Sequence, residues 1–231
     1  MAYRNGPKIT TDGLVLCLDA AISKSYPGSG TTWYDLSTSN INGTLTNGPT
    51  FTNSNNGILN FDGVNDYVIF TRPSSIITGG SISVSIWAKW ISTGTTTSTI
   101  QALIDNNHSG SPLQGFVLQD RPDLSKKLTF SSSPNQTGVA STFQVGDGIW
   151  RHIVGTNDTS TSKLYIDGVL NNSLSQSGLG TVQPNISIGY WQMGPGRYLN
   201  GKVAHVSIYS RALTSLEIQQ NYNATRGRFG V

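Results

Sequence analysis

Glutamate is all but missing from this chain. Only Glu217 among the 12 acidic residues is a glutamate, and charged residues of both signs make up 12% of the sequence. Solvent-exposed helices draw heavily on Glu and Lys, so a mainly helical protein is excluded. The surface must be polar without being ionic. Cysteine is as scarce: Cys17 stands alone, so no intrachain disulfide can form. Set within Leu14-Val15-Leu16-Cys17-Leu18, it reads as a small buried hydrophobe rather than a reactive thiol. No apolar run approaches the roughly 20 residues that span a bilayer, which argues against membrane insertion. Met1 to Lys8 carries no apolar signal-peptide core, so the expectation is synthesis in a cytoplasm without a signal peptide. The net charge of +3 over 231 residues is too small for a nucleic-acid binder driven by bulk charge.

Catalytic chemistry is also thin. No Gly-x-Ser-x-Gly elbow, P-loop or dinucleotide fingerprint occurs, and no Cys/His spacing suggests zinc. The three histidines, His108, His152 and His205, read as structural or solvent-facing. Four aspartates, Asp12, Asp62, Asp147 and Asp167, precede glycine and are turn formers first. The chain is expected not to be an enzyme.

What is abundant is turn chemistry and alternation. Asn-Gly and Asp-Gly pairs recur along the chain, from Asp12-Gly13 to Asn200-Gly201, and suit tight turns between twisted strands. Between them lie short period-two segments. Leu14, Leu16 and Leu18 share a face. Ile82, Val84, Ile86 and Ala88 share another, with Ser83 and Ser85 opposite. Ala204, Val206 and Ile208 alternate with His205 and Ser207. Many short alternating strands predict an all-β, two-sheet antiparallel sandwich, each sheet with one buried and one wet face. One helix is predicted near the C-terminus, where Thr214-Ser215-Leu216-Glu217 spells a capping box. Leu213, Leu216 and Ile218 supply its apolar positions. No linker divides the chain, so residues 1–231 read as one domain.

Several segments carry a family resemblance. Asn60-Phe61-Asp62-Gly63-Val64-Asn65-Asp66-Tyr67-Val68, the strand ending Trp87-Ala88-Lys89, Trp150-Arg151-His152-Ile153-Val154 with Lys163-Leu164-Tyr165-Ile166-Asp167-Gly168, and the closing run Gly201 to Leu213 resemble, in that order, the laminin-G-like, concanavalin-A-like jelly rolls. Asp12 to Ala21, Thr32-Trp33-Tyr34-Asp35-Leu36-Ser37 and the end from Asn223 to Val231 are similar to single-domain members from tailed bacteriophages, especially marine and cyanobacterial ones. The resemblance implies a jelly roll with a short C-terminal helix. It also implies a non-enzymatic virion structural protein on the particle surface, as head decoration or as fibre or adhesin. Its partners would be other capsid or tail proteins and host-surface polysaccharide, and symmetric assembly on a particle would make it a homo-oligomer. A free carbohydrate-binding lectin module is the alternative. A glycoside hydrolase is disfavoured, because glucanases of this fold use a glutamate cluster that this chain lacks.

Three groups of residues are candidate sites. Tyr190, Trp191, Arg197 and Tyr198 lie in a Gly- and Pro-containing loop, the composition of a contact surface for glycan or protein; the other reading folds Trp191 back onto a core edge. The ends, residues 1–8 and 211–231, carry a net +4 and leave −1 for the middle. Arms 1–10 and 222–231 could therefore anchor the protein to an acidic assembly through Arg4, Lys8, Arg226 and Arg228, with Phe229 and Val231 as apolar pegs. Asp62, Asn65 and Asp66 are hard oxygen donors for calcium, or else an Asx turn. No other cofactor is implied.

Overall fold

The computed structural model describes residues 7–106, 115–132, 138–192 and 196–231. Its strands are β1 (Leu14–Asp19), β2 (Thr32–Trp33), β3 (Gly43–Thr46), β4 (Thr50–Thr52), β5 (Ile58–Asp62), β6 (Tyr67–Thr71), β7 (Ile82–Trp90) and β8 (Gln101–Asp105). They continue with β9 (Val117–Arg121), β10 (Lys127–Ser131), β11 (Val139–Gln144), β12 (Arg151–Asn157), β13 (Thr161–Ile166), β14 (Val169–Ser175), β15 (Asn185–Ile188) and β16 (Asn200–Tyr209). One helix, α1, spans Ser215–Thr225. Among the described residues the strands make two antiparallel sheets. The first runs β14-β13-β12-β7-β16-β5-β4, with β1 also pairing β16; the second runs β11-β10-β9-β8-β15-β6-β3-β2.

The core forms where the inward faces of the two sheets meet. Leu16, Leu18, Val84, Ile86, Ile153, Leu164, Val206 and Ile208 come from the first sheet; Val68, Phe70, Leu118, Leu128, Phe130, Ile186 and Ile188 from the second. Each buried aliphatic side chain contributes about 1.5–3 kcal/mol. Gly155 opens the space for one of the largest of them: a Cβ there would stand 2.4 Å from the Phe130 ring.

Four expectations from alternation need correction. Ala204 does not share the face of Val206 and Ile208: the β7–β16 register shifts between Val203 and His205, and Ala204 packs with Ile58, Trp87 and Trp150 on the outer face. Leu14 does not share the face of Leu16 and Leu18. The β1–β16 register shifts between Leu14 and Leu16, and Leu14 packs instead with Val154, Tyr165, Tyr209, Leu213 and Ile218 outside the sandwich. The outer face of the first sheet is not wet throughout: Ser83 and Ser85 are both buried, because α1 and the segments flanking it lie across that part of the face. Ser83 donates to Arg211 O at 2.9 Å and accepts from Leu213 N at 2.8 Å. Ser85 bonds His152 Nε2 at 2.9 Å. The Trp87 indole donates to Thr225 Oγ1 at 2.7 Å. Finally, Leu216 lies on the exposed side of α1, while Leu213 and Ile218 are buried.

The capping box is present. Thr214 Oγ1 accepts from Glu217 N at 3.3 Å, and Glu217 Oε2 accepts from Thr214 N at 2.8 Å. Arg211 adds a fork onto both Glu217 oxygens and holds that carboxyl down at about 2. At the open side of the sandwich, edge strands β11 and β14 are stitched by side chains. Thr142 N donates to Asn171 Oδ1 at 2.9 Å, Asn171 Nδ2 to Thr142 Oγ1 at 3.0 Å, and Asn172 Nδ2 to Ala140 O at 2.8 Å.

Candidate binding surface at the loop end

The strands deliver one set of loops to one end of the sandwich: 47–49, 62–66, 91–100, 145–150 and 189–199. The last of these carries the aromatic candidates. Tyr190 and Tyr198 pair as an isolated antiparallel bridge, and Trp191 N donates to Arg197 O at 3.2 Å, so the two described arms of the loop lie antiparallel. Its base is pinned. Gln192 N donates to Asp105 Oδ2 at 3.1 Å, and Gln192 Nε2 reaches Asp105 O and Ser187 Oγ, each at 3.3 Å. Ser187 Oγ donates to Tyr190 O at 2.7 Å.

Three of the rings form a row, and a separate cation–ring pair sits on the same loop. Tyr190 stacks on Tyr198 with centroids 4.8 Å apart and planes 14° apart, and meets Tyr67 at 5.3 Å. The Arg197 guanidinium lies 3.6 Å over the Trp191 ring. All five residues are half-buried, so each ring is held from one side and open on another. Desolvation, followed by repulsion from the neighbouring Tyr198, Tyr67 and Asp105, raises the Tyr190 phenol above its ordinary value. Burial, then repulsion from Arg121, lowers Arg197. The structure thus brings Tyr190, Trp191, Arg197 and Tyr198 together and adds Tyr67. Tyr67 opens β6 right after the Asp62–Asp66 turn; only the pairing of β6 with β15 puts it beside the loop.

The Asp62, Asn65 and Asp66 cluster is a turn. Asp62 Oδ1 accepts from Val64 N at 2.8 Å and Asn65 N at 3.3 Å; Asp66 Oδ2 accepts from Asp62 N at 3.1 Å. These amides lower Asp62, while desolvation raises the buried Asp66. Calcium takes six to eight oxygens. With two of the four carboxylate oxygens given to amides, Asp62, Asn65 and Asp66 do not fit such an ion. Among the described residues no group of three or more His, Cys, Asp or Glu is placed to hold a metal.

The terminal candidates divide. Arg4 and His108 lie outside the described residues. Lys8, Arg226 and Val231 are exposed. The N-terminal segment lies along α1, with Gln220 Nε2 donating to Lys8 O at 2.7 Å and Thr10 N to Asn221 Oδ1 at 2.8 Å. Both ends therefore meet on one side. Arg228 and Phe229, however, are turned inward, and residues 222–225 belong to α1 rather than to an arm. Phe229 stacks on Trp87 at 4.1 Å and meets Trp150 at 4.8 Å. Arg228 pairs with Asp19 and donates to Asn55 O and Gly57 O. An aromatic ring with an apolar surface in reach buries itself, so neither side chain is a free peg.

A Cys–His pair hides under this tail. Cys17 Sγ lies 3.8 Å from His205 Nε2, the spacing of a nucleophile and its base. Both are buried. Burial, with Asp19 and Asp35 nearby, pushes the thiol up to about 12, and a thiol without its thiolate is inert.

Two antiparallel sheets packed face to face, closed by one short C-terminal helix, have the architecture of a jelly-roll sandwich. Residues 62–219 match the Concanavalin A-like lectin/glucanases superfamily, as its Laminin_G_3 member, and the chain belongs to this family. A comparison with curated protein sequences gives no match. Among solved structures, the chain is similar to the binding domain of Paraclostridial Mosquitocidal Protein 1, with TM-score 0.71 and 18% identity over 92% of this chain and 52% of that one. It is also similar to the binding domain of botulinum neurotoxin DC in complex with rat synaptotagmin II, with TM-score 0.70 and 16% identity over 92% and 52% of the two chains. A third is a botulinum neurotoxin type C structure, described as depending on two ganglioside molecules to enter cells, with TM-score 0.69 and 17% identity over 92% and 51%. The chain spans about half the length of these structures, and at such identity the likeness is one of fold.

Proposed function

We propose that this protein is a non-enzymatic binding module whose loop end contacts carbohydrate or a receptor surface. One observation carries the reading: Tyr67, Tyr190 and Tyr198 form a half-exposed row, with the Trp191–Arg197 pair on the same loop, and the loop is held by hydrogen bonds to β8 and β15. Pyranose C–H faces stack on rings, and pre-ordered rings lose little entropy on binding. The similar toxin structures, one a binding domain in complex with synaptotagmin II and one of a toxin whose cell entry depends on two ganglioside molecules, support the same class of role. The scarcity of carboxylate pairs and the inert Cys17–His205 contact support a module that binds without turnover.

The finer part of the reading is a bacteriophage virion component, displayed as head decoration or as fibre or adhesin and made in the host cytoplasm. Its support is the phage-like N- and C-terminal sequence segments, together with Lys8, Arg226 and Val231 exposed on the helix side. That side would face capsid or tail proteins and leave the loop end free for host polysaccharide. The alternative, a free lectin module, is separated by mass-spectrometric copy number: hundreds of copies per virion fit decoration, a few fit a fibre, and none leaves the free module.

A glycan array with wild type, Tyr190→Ala and Trp191→Ala tests the binding face. Signal lost in both variants, with unchanged melting temperature, is the expected result. Glycan binding undiminished in both would remove this face from the proposal.

A further inference from the structure

The first sheet carries a second feature, on its outer face toward the same loop end but built from none of the residues of the aromatic row. Lys202 on β16 stands directly opposite Lys89 on β7 and, on its other side, opposite Asn60 on β5. Like charges directly opposite on neighbouring strands repel. Neither lysine has a carboxylate within 4.0 Å among the described residues, which is true of Lys24, Lys127 and several other cations too; what sets this pair apart is that the two face each other across the β7–β16 ladder. In a chain with so few charges, two facing cations without a counter-charge cost stability, and a bound anion would offset that cost.

The surroundings narrow the anion. The lysines line a cleft of about 670 Å³. Gly148 and Gly201 form part of its wall, and the Ile91 side chain, 61% exposed, supplies an apolar side. A Cβ on Gly201 would stand 2.7 Å from Lys89 O, so the strands approach closely there. Asn60 uses its amide nitrogen on Thr50 O at 3.0 Å, which leaves its carbonyl oxygen to accept from a ligand hydroxyl. Two cations, a hydroxyl acceptor and an apolar side make a site for a sugar ring bearing a negative group.

We propose that Lys89 and Lys202, with Asn60 and Ile91, bind an acidic saccharide through its carboxylate or sulfate. The site is separate from the aromatic row and does not depend on it.

Isothermal titration calorimetry at low salt tests this with three probes: a sulfated heparin-derived tetrasaccharide, a galacturonate tetrasaccharide and neutral maltotetraose. Wild type, Tyr190→Ala and the double variant Lys89→Gln/Lys202→Gln are compared. Wild type should bind at least one acidic probe, and whichever binds identifies the anion. The double variant should lose about ten-fold or more of that affinity, while Tyr190→Ala keeps it. Each single Lys→Gln change should raise the melting temperature of the unliganded protein, since it removes the repulsion. Equal acidic-probe affinity in wild type and the double variant would overturn the site, as would no acidic binding by wild type. Loss in Tyr190→Ala alone would assign the binding to the aromatic row instead.

Discussion

The Arg228 guanidinium reaches both carboxylate oxygens of Asp19, at 2.8 and 3.0 Å. This contact ties the last turn of the chain to the end of β1, and it holds Phe229 on Trp87 and Trp150. Phe229→Ala should therefore cost about 3–5 kcal/mol, the range for truncating a buried phenylalanine. Arg228→Ala should cost about 1–3 kcal/mol by leaving Asp19 without its partner. Urea unfolding followed by tryptophan fluorescence measures both. A value near zero for Phe229→Ala would mean that the tail detaches freely in solution.

Two buried groups give stability opposite pH slopes. Burial, then repulsion from His205, pushes His152 down to about 3. The unfolded chain binds a proton that the folded chain refuses, so stability present above pH 6.5 is lost as pH falls through that value. From pH 7.5 to 5 the loss from His152 is about 2 kcal/mol. Asp120 sits inside the sandwich facing Ser92 and Trp90, and its carboxylate, the Ser92 hydroxyl and the Trp90 indole nitrogen close no hydrogen bonds of ordinary geometry. Burial pushes this carboxyl up to about 6 against the weaker pull of those two neighbours. Its contribution is full below pH 3.8 and disappears as pH rises through 6, a change of about 3 kcal/mol.

Between pH 4 and 6 the two slopes nearly cancel in wild type. Asp120→Asn should gain most over wild type at pH 7.5 and lose that advantage by pH 4. His152→Gln should show the reverse. Denaturant titrations at several pH values check the pair, and parallel curves for all three proteins would contradict it.

The start of α1 offers a smaller effect. Thr214→Ala removes the acceptor for Glu217 N and should cost about 1 kcal/mol. Because Glu217 titrates at about 2, the cost should stay constant from pH 7.5 to 5. Thermal melts of the variant at the two pH values decide this.

Gly168 supplies a backbone test. Asp167 and Gly168 have φ of 52° and 80°, as a tight turn between β13 and β14 requires. A Cβ on Gly168 would also come within 3.1 Å of the Tyr222 ring. Gly168→Ala should cost about 1–2 kcal/mol from the left-handed backbone alone, read as a lowered urea midpoint.

Much of this was legible in the sequence because strands announce themselves locally. Period-two segments such as Ile82–Ala88, Asx-Gly pairs and the Thr214–Glu217 box each need only neighbouring residues to be read. The aromatic loop was legible too, since Trp191 and two tyrosines stand among Gly and Pro. What escaped depends on distant partners. Alternation gives Ser83, Ser85, Trp87 and His152 a common face but does not say that α1 will cover it. Phe229 and Arg228 look like a loose end until Trp87, Trp150 and Asp19 are in place. Tyr67 joins the rim, and Lys89 meets Lys202, only through strand register.

The stitched seam between β11 and β14 has a further consequence. Asn171 and Asn172 already occupy the backbone amide of Thr142 and the carbonyl of Ala140, the groups an incoming peptide strand would use to extend the sheet. Growth of ribbons or fibrils by edge pairing is closed at that border. A partner arriving there must recognise side chains, not extend the backbone ladder.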